Sequence, residues 1–183
     1  MRTTLLAAAL ALFSVACQST DAEGSAALAA DPGPKVQAVD AAQREALFSV
    51  LQGLEGKWTG DAGDGQPGVS TFEVTSNGSV VRETMLPGTP YEMTNMYALD
   101  GNALVMTHYC AGGNQPTMRA DSFAEGRCEF RFEGVRDLKA EDEVYMGEMT
   151  LVVVDENNIE QHWRALKGGE LDHDMVIKMA RVQ

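Results

Sequence analysis

The chain has 183 residues, 44% apolar and 7% aromatic, with 14 Lys+Arg against 27 Asp+Glu. That is enough apolar material for the core of one ordinary domain, and it excludes wholesale disorder. A formal net charge of −13 argues against a nucleic-acid partner and against electrostatic docking on anionic lipid, both of which need a basic surface.

Residues 1–16 read as an export signal. Arg2 supplies the positive end, Leu5 to Val15 an apolar run too short to span a bilayer, and Ser14 and Ala16 the small residues ahead of a cleavage point. Cys17 follows directly. The placement resembles a lipobox, in which the thiol is acylated and becomes the first residue, although the usual lipobox has Leu where this chain has Ser14. Lipidation at Cys17 is the expectation, and ordinary cleavage leaving an unmodified cysteine is the alternative. Gln18, in place of the Asp that marks inner-membrane retention in that pattern, favours the outer membrane. Removing residues 1–16 leaves 167 and takes away one charge, Arg2, so the net charge passes from −13 to −14. Residues 17–39 are rich in Ala, Ser, Asp, Gly and Pro, with Asp31-Pro32-Gly33-Pro34 as a break, and read as the lipidation site and a flexible tether. As a coil, the segment from Gln18 to Val39 reaches about 25 Å at ~5–6 Å × √n. Beyond residue 16 no stretch approaches the ~18–20 apolar residues of a spanning helix. Membrane contact is expected only through the lipid.

Residues 40–183 read as one domain. Asp40 is a helix N-cap with Gln43 in the capping-box place. Ala46, Leu47, Val50, Leu51 and Leu54 form an apolar stripe that Gly56 ends. Ten strands follow: 57–62, 69–76, 79–86, 91–99, 102–110, 118–123, 128–133, 144–154, 159–166 and 171–182. Asn77-Gly78 and Asp100-Gly101 suit two-residue turns of type I′. Glu156-Asn157-Asn158 and Lys167-Gly168-Gly169 are further hairpin connections. None of these links has room for a crossover helix, so the strands form an antiparallel meander. An open meander leaves two raw edges, and closure removes them. The expected fold is all-β: a closed up-and-down barrel of about ten strands behind one short N-terminal helix.

Leu54-Glu55-Gly56-Lys57-Trp58-Thr59-Gly60 resembles the Gly-x-Trp opening of the lipocalin (calycin) and fatty-acid-binding-protein superfamily. His108-Tyr109-Cys110-Ala111-Gly112-Gly113-Asn114-Gln115-Pro116 and Pro87-Gly88-Thr89-Pro90-Tyr91-Glu92-Met93 resemble motifs of an uncharacterised family of bacterial exported lipocalin-like proteins. The resemblance covers Leu54 to the C-terminus. It implies that Trp58 sits on the first strand and packs across the closed end of a barrel.

A ten-strand barrel is wider than its own side chains readily fill, so a largely apolar cavity with a few polar anchors is expected. Nine methionines fall in the barrel region: Met85, Met93, Met96, Met106, Met118, Met146, Met149, Met175 and Met179. Their soft, flexible side chains suit a wall that adapts to an apolar ligand, and suit core filling equally. Glu83, Glu92, His108 and His162 lie inside the expected strands and serve as anchors wherever they face inward. Asn114 and Gln115 sit in the longest polar turn. The candidate ligand-binding set is therefore Glu83, Glu92, Met93, His108, Cys110, Asn114, Gln115, Met118 and His162, with no catalytic residue and no metal assigned.

The favoured function is an exported envelope lipoprotein that carries a small apolar molecule without catalysis or cofactor. One alternative is a haem-binding barrel of the nitrobindin kind, with His173 or His162 as axial ligand. Another is an enzyme using His108 and Cys110, two apart on one strand. A third is a structural module that binds a protein through an outer face such as Val152-Val153-Val154. Cys110 and Cys128 fall at opposite ends of one hairpin, roughly 20 Å apart at ~3.3 Å per residue, so both are expected to stay reduced.

Overall fold

The computed structural model describes residues 36–183, apart from 62–64 and 66. The expected export signal, the expected lipidation site Cys17 and most of the expected tether lie outside the described residues. Helix α1 (Ala41–Gln52) begins at Asp40, whose side chain accepts from the Gln43 N–H at 3.0 Å. Only half of the capping box forms. The Asp40 N–H donates instead to Asn102 Oδ1 (2.8 Å), and the Gln43 amide reaches the carbonyls of Asn102 and Asp121. The buried face is Leu47, Phe48, Leu51 and then Leu54, with Ala46 exposed and Val50 half-buried. The helix ends at Gln52, ahead of the expected Leu54.

The strands are β1 (Gly56–Asp61), β2 (Pro67–Thr75), β3 (Val80–Met85), β4 (Met93–Asp100), β5 (Ala103–Tyr109), β6 (Gln115–Ala120), β7 (Phe123–Ala124), β8 (Arg127–Arg136), β9 (Val144–Asp155), β10 (Asn158–Lys167) and β11 (Glu170–Arg181). Pairing runs antiparallel from β1 through β6, on to β8 and through β11, and β11 returns to β1. Ten strands thus close a barrel, as expected, and β7 is a two-residue stub paired to β8. The expected strand 118–123 is split: β6 starts earlier, at Gln115, and ends at Ala120.

Two turns differ from expectation by position. The β2–β3 link spans Ser76 to Ser79, since Thr75 pairs with Val80, and carries three successive positive φ values at Ser76, Asn77 and Gly78. The β4–β5 link is Gly101-Asn102, because Asp100 itself pairs with Ala103. Gly168-Gly169, with φ of 58° and 86°, matches a type I′ hairpin.

The helix plugs one end of the barrel. Besides the Asn102 contacts, Gln52 donates to Gly78 O (3.3 Å) and Arg44 to Gly101 O, so α1 is tied to the turns of that end. Trp58 of β1 is fully buried, and its Nε1–H donates to Leu54 O at 2.8 Å. The Arg181 guanidinium lies 4.3 Å from the centroid of a Trp58 ring and also donates to the carbonyls of Gly53 (2.7 Å) and Glu55 (2.6 Å). One residue of the last strand therefore fastens both the first strand and the helix. Beyond this plug, Phe72, Val81, Tyr97, Leu104, Met106, Met118, Phe130, Met149, Leu151 and Ile159 fill the core.

Candidate functional site

Alternation along three neighbouring strands places Glu83, Asn95 and His108 side by side, because Glu83 pairs with Asn95 and Asn95 with His108. All three are buried. Four neutral donors meet the Glu83 carboxylate. Ser70 Oγ (2.6 Å) and Gln161 Nε2 (2.8 Å) donate to Oε1, and Asn95 Nδ2 (2.7 Å) and the Tyr97 hydroxyl (2.8 Å) to Oε2. Gln161 lies on β10, so this contact crosses the lumen and makes a polar floor. Burial, and next the adjacent carboxylate, push the Tyr97 hydroxyl well above its ordinary pKa, which keeps it a donor.

Above the floor the barrel is hollow. A cavity of about 490 Å³ opens at the end away from the helix, where β2 begins and β3 ends, within the size range of small-molecule sites. Five of the nine barrel methionines line it: Met85, Met93, Met146, Met175 and Met179. Met106, Met118 and Met149 are core instead. Met146 reaches the cavity through a bulge at Gly147. There Arg164 pairs with Glu148 but Ala165 with Met146, which reverses the facing of the preceding residues. Trp163 and His108 complete one wall, their rings 5.1 Å apart. Tyr91 stands at the rim, largely exposed.

Like Ser70, His108 is a buried polar side chain that lines the cavity. Its Nδ1 lies 2.6 Å from Asn95 Oδ1, and its Nε2 has no partner among the described residues. Burial lowers its pKa to about 4, so the ring is neutral at pH 7. Of the other candidate residues, Met93 joins His108 on the cavity wall, and Glu83 stands behind it in the floor. The rest are elsewhere. Glu92 is exposed and accepts the Gly88 N–H at 2.6 Å. Met118 is sealed in the core. Asn114 is buried, its amide donating to Glu143 Oε1 (2.8 Å) and Val144 O (3.0 Å), which clamps two loops together. The Gln115 amide turns back to Gly113 O. His162 faces away from the lumen, 2.8 Å from Glu160. His173 is paired with Asp172 at the surface. Neither histidine of the haem alternative lines the cavity.

Cys110 and Cys128 are both free thiols. The Cys110 sulfur accepts the Gly112 N–H (3.4 Å) while His108 is held by Asn95, so no thiol–imidazole pair forms. Cys128 is buried, and burial pushes its thiol pKa up to about 12. Among the described residues no cluster of three His, Cys, Asp or Glu is arranged to hold a metal ion. An outer depression holds Arg119, paired with Asp100 and Glu133, and Arg131, paired with Glu129, together with Asp121, Glu125 and Arg127.

Sequence reading missed Ser70, Asn95, Tyr97 and Gln161. A signal for two of them exists, since Asn95 and Gln161 are polar residues flanked at i±2 by large apolar ones in a strand, Met93 and Tyr97 in the first case and Ile159 and Trp163 in the second. No family model matches the chain, and no curated protein matches it.

Proposed function

We propose that this protein binds or carries a small apolar molecule, without catalysis, in the open half of a lipocalin-like barrel. The observation that carries the proposal is the methionine-lined cavity above the floor, with Trp163 and His108 in its wall. In an exported protein tethered to the outer membrane through Cys17, on its periplasmic side, such a cavity serves to hold a passenger that water does not dissolve. The test is uptake of the neutral fluorescent probe N-phenyl-1-naphthylamine by delipidated protein, with mass spectrometry of natively purified protein to identify any passenger and any acyl group on Cys17. Met175→Trp narrows the cavity and is expected to weaken uptake. Failure of the unaltered protein to take up the probe refutes the reading.

Haem is a second reading of the same cavity. The observation that favours it is His108, not His162 or His173: an unpartnered Nε2 with Nδ1 anchored by a neighbour is how ligating histidines are held. A Soret band on adding hemin, lost in His108→Phe, is its signature.

A further inference from the structure

The partners of His108 determine what its free nitrogen offers. Glu83 provides only acceptors, so the Asn95 amide must turn its NH₂ toward Glu83 Oε2 and its oxygen toward His108. That oxygen takes the proton on Nδ1. Nε2 is then a bare lone pair, buried and without a donor among the described residues, and a buried acceptor left unmade costs free energy that a ligand donor can recover.

Of the other side-chain polar atoms on the wall, the Trp163 Nε1–H is committed to Gln161 Oε1 (3.2 Å) and the Tyr91 hydroxyl remains a donor at the exposed rim, while the rest offer lone pairs. The Ser70 hydroxyl hydrogen is committed to Glu83, leaving oxygen lone pairs, and the Thr89 hydroxyl donates to Leu86 O at 2.9 Å. Among the described residues no Lys or Arg lines the cavity, and the nearest formal charge described in its floor is the carboxylate of Glu83. With its headgroup at the floor, a fatty-acid anion would bring an acceptor to acceptors and a negative charge toward a negative one. The floor therefore selects against the headgroup that a fatty-acid carrier needs.

We propose that the occupant is an uncharged amphiphile bearing a hydrogen-bond donor, a hydroxyl or amide N–H, which sits on His108 Nε2 with its apolar body against the methionines. The donor enters first. Met85 and Met93, a cross-strand pair, stand one step nearer the mouth than Glu83 and Asn95, so the tail follows along them. This rests on the cavity-binding reading and adds the chemical class of the ligand.

The test is calorimetric titration of the delipidated protein at pH 7 with three probes of one chain length: dodecan-1-ol, methyl dodecanoate and dodecanoate. The alcohol alone donates. It is expected to bind about tenfold or more tighter than either of the others, as one hydrogen bond to a buried acceptor implies. In His108→Phe that advantage disappears while the ester still binds. The three-ligand comparison on the unaltered protein stands even if the variant does not fold. Dodecanoate binding as tightly as the alcohol, an advantage that survives His108→Phe, or hemin occupying His108 overturns the proposal. Binding of none of the three overturns the cavity reading itself, which separates the two failures.

Discussion

His108 makes stability depend on pH in a window of its own. Its pKa is about 4 in the folded protein against an ordinary 6.5, because burial disfavours the charged ring. The unfolded chain therefore takes up the proton first as pH falls. The stability contributed by the neutral ring is complete above about pH 6.5 and is lost progressively between about 6.5 and 4; below that, the loss is constant. The span from 6.5 to about 4, at about 1.36 kcal/mol for each pH unit, amounts to about 3 kcal/mol, a large share of the ~5–15 kcal/mol of an ordinary domain. Carboxylates with lowered pKa, such as Asp100 held down first by its Arg119 hydrogen bond, act at more acid pH. Urea unfolding from pH 7 to 4, compared with His108→Gln, isolates the contribution, since the amide keeps a donor for Asn95 but does not titrate. With only three histidines in the chain, the ring proton resonances also report the midpoint directly. Parallel stability profiles for the two proteins, or a His108 resonance titrating near 6.5, would refute the reasoning.

Two further outcomes follow from the packing. A Cβ on Gly60 would lie 1.7 Å from the Lys178 carbonyl oxygen, a backbone atom of the strand that closes the barrel, so Gly60→Ala is expected to cost about 3 kcal/mol or more; an unchanged urea midpoint contradicts this. Iodoacetamide at pH 8 is expected to modify Cys110 in the native protein and Cys128 only in urea, because burial keeps the Cys128 thiol protonated, and a peptide map showing equal labelling, or a bond between the two, contradicts it.

The architecture was legible because its signals are local. Turn residues, two-residue alternation and the absence of room for crossovers together specified ten strands, and closure followed from the need to hide edges. The site was less legible because it depends on register. Whether Glu83 or Glu92 faces inward is decided by strand parity, and Glu92 proved to lie in the turn ahead of β4, outside any alternation. His162 alternates with Gln161 and Trp163 on β10, and only the burial of those two neighbours turns it outward. Met146 needed the Gly147 bulge, which nothing in the pattern of apolar residues announces. Asn114 looked like a ligand-gripping loop residue and is a clamp, since its amide is taken by Glu143 and Val144.

The polar floor calls for an explanation beyond stability. A carboxylate moved out of water costs several kcal/mol, and the four partners of Glu83 are all neutral. Their hydrogen bonds offset that cost, yet an apolar floor of equal volume would do no worse on general grounds. What Glu83 supplies, and a leucine would not, is direction. By accepting from Asn95 it fixes which end of that amide faces His108, and thereby which nitrogen of the imidazole carries the proton. Replacing Glu83 by Gln leaves Asn95 free to turn over, present NH₂ to the ring, and move the proton to Nε2. The group that meets a ligand would then change from acceptor to donor with the cavity walls untouched. A buried charge two side chains away thus sets the chemistry of an otherwise greasy pocket, and its place in the fold follows from that role.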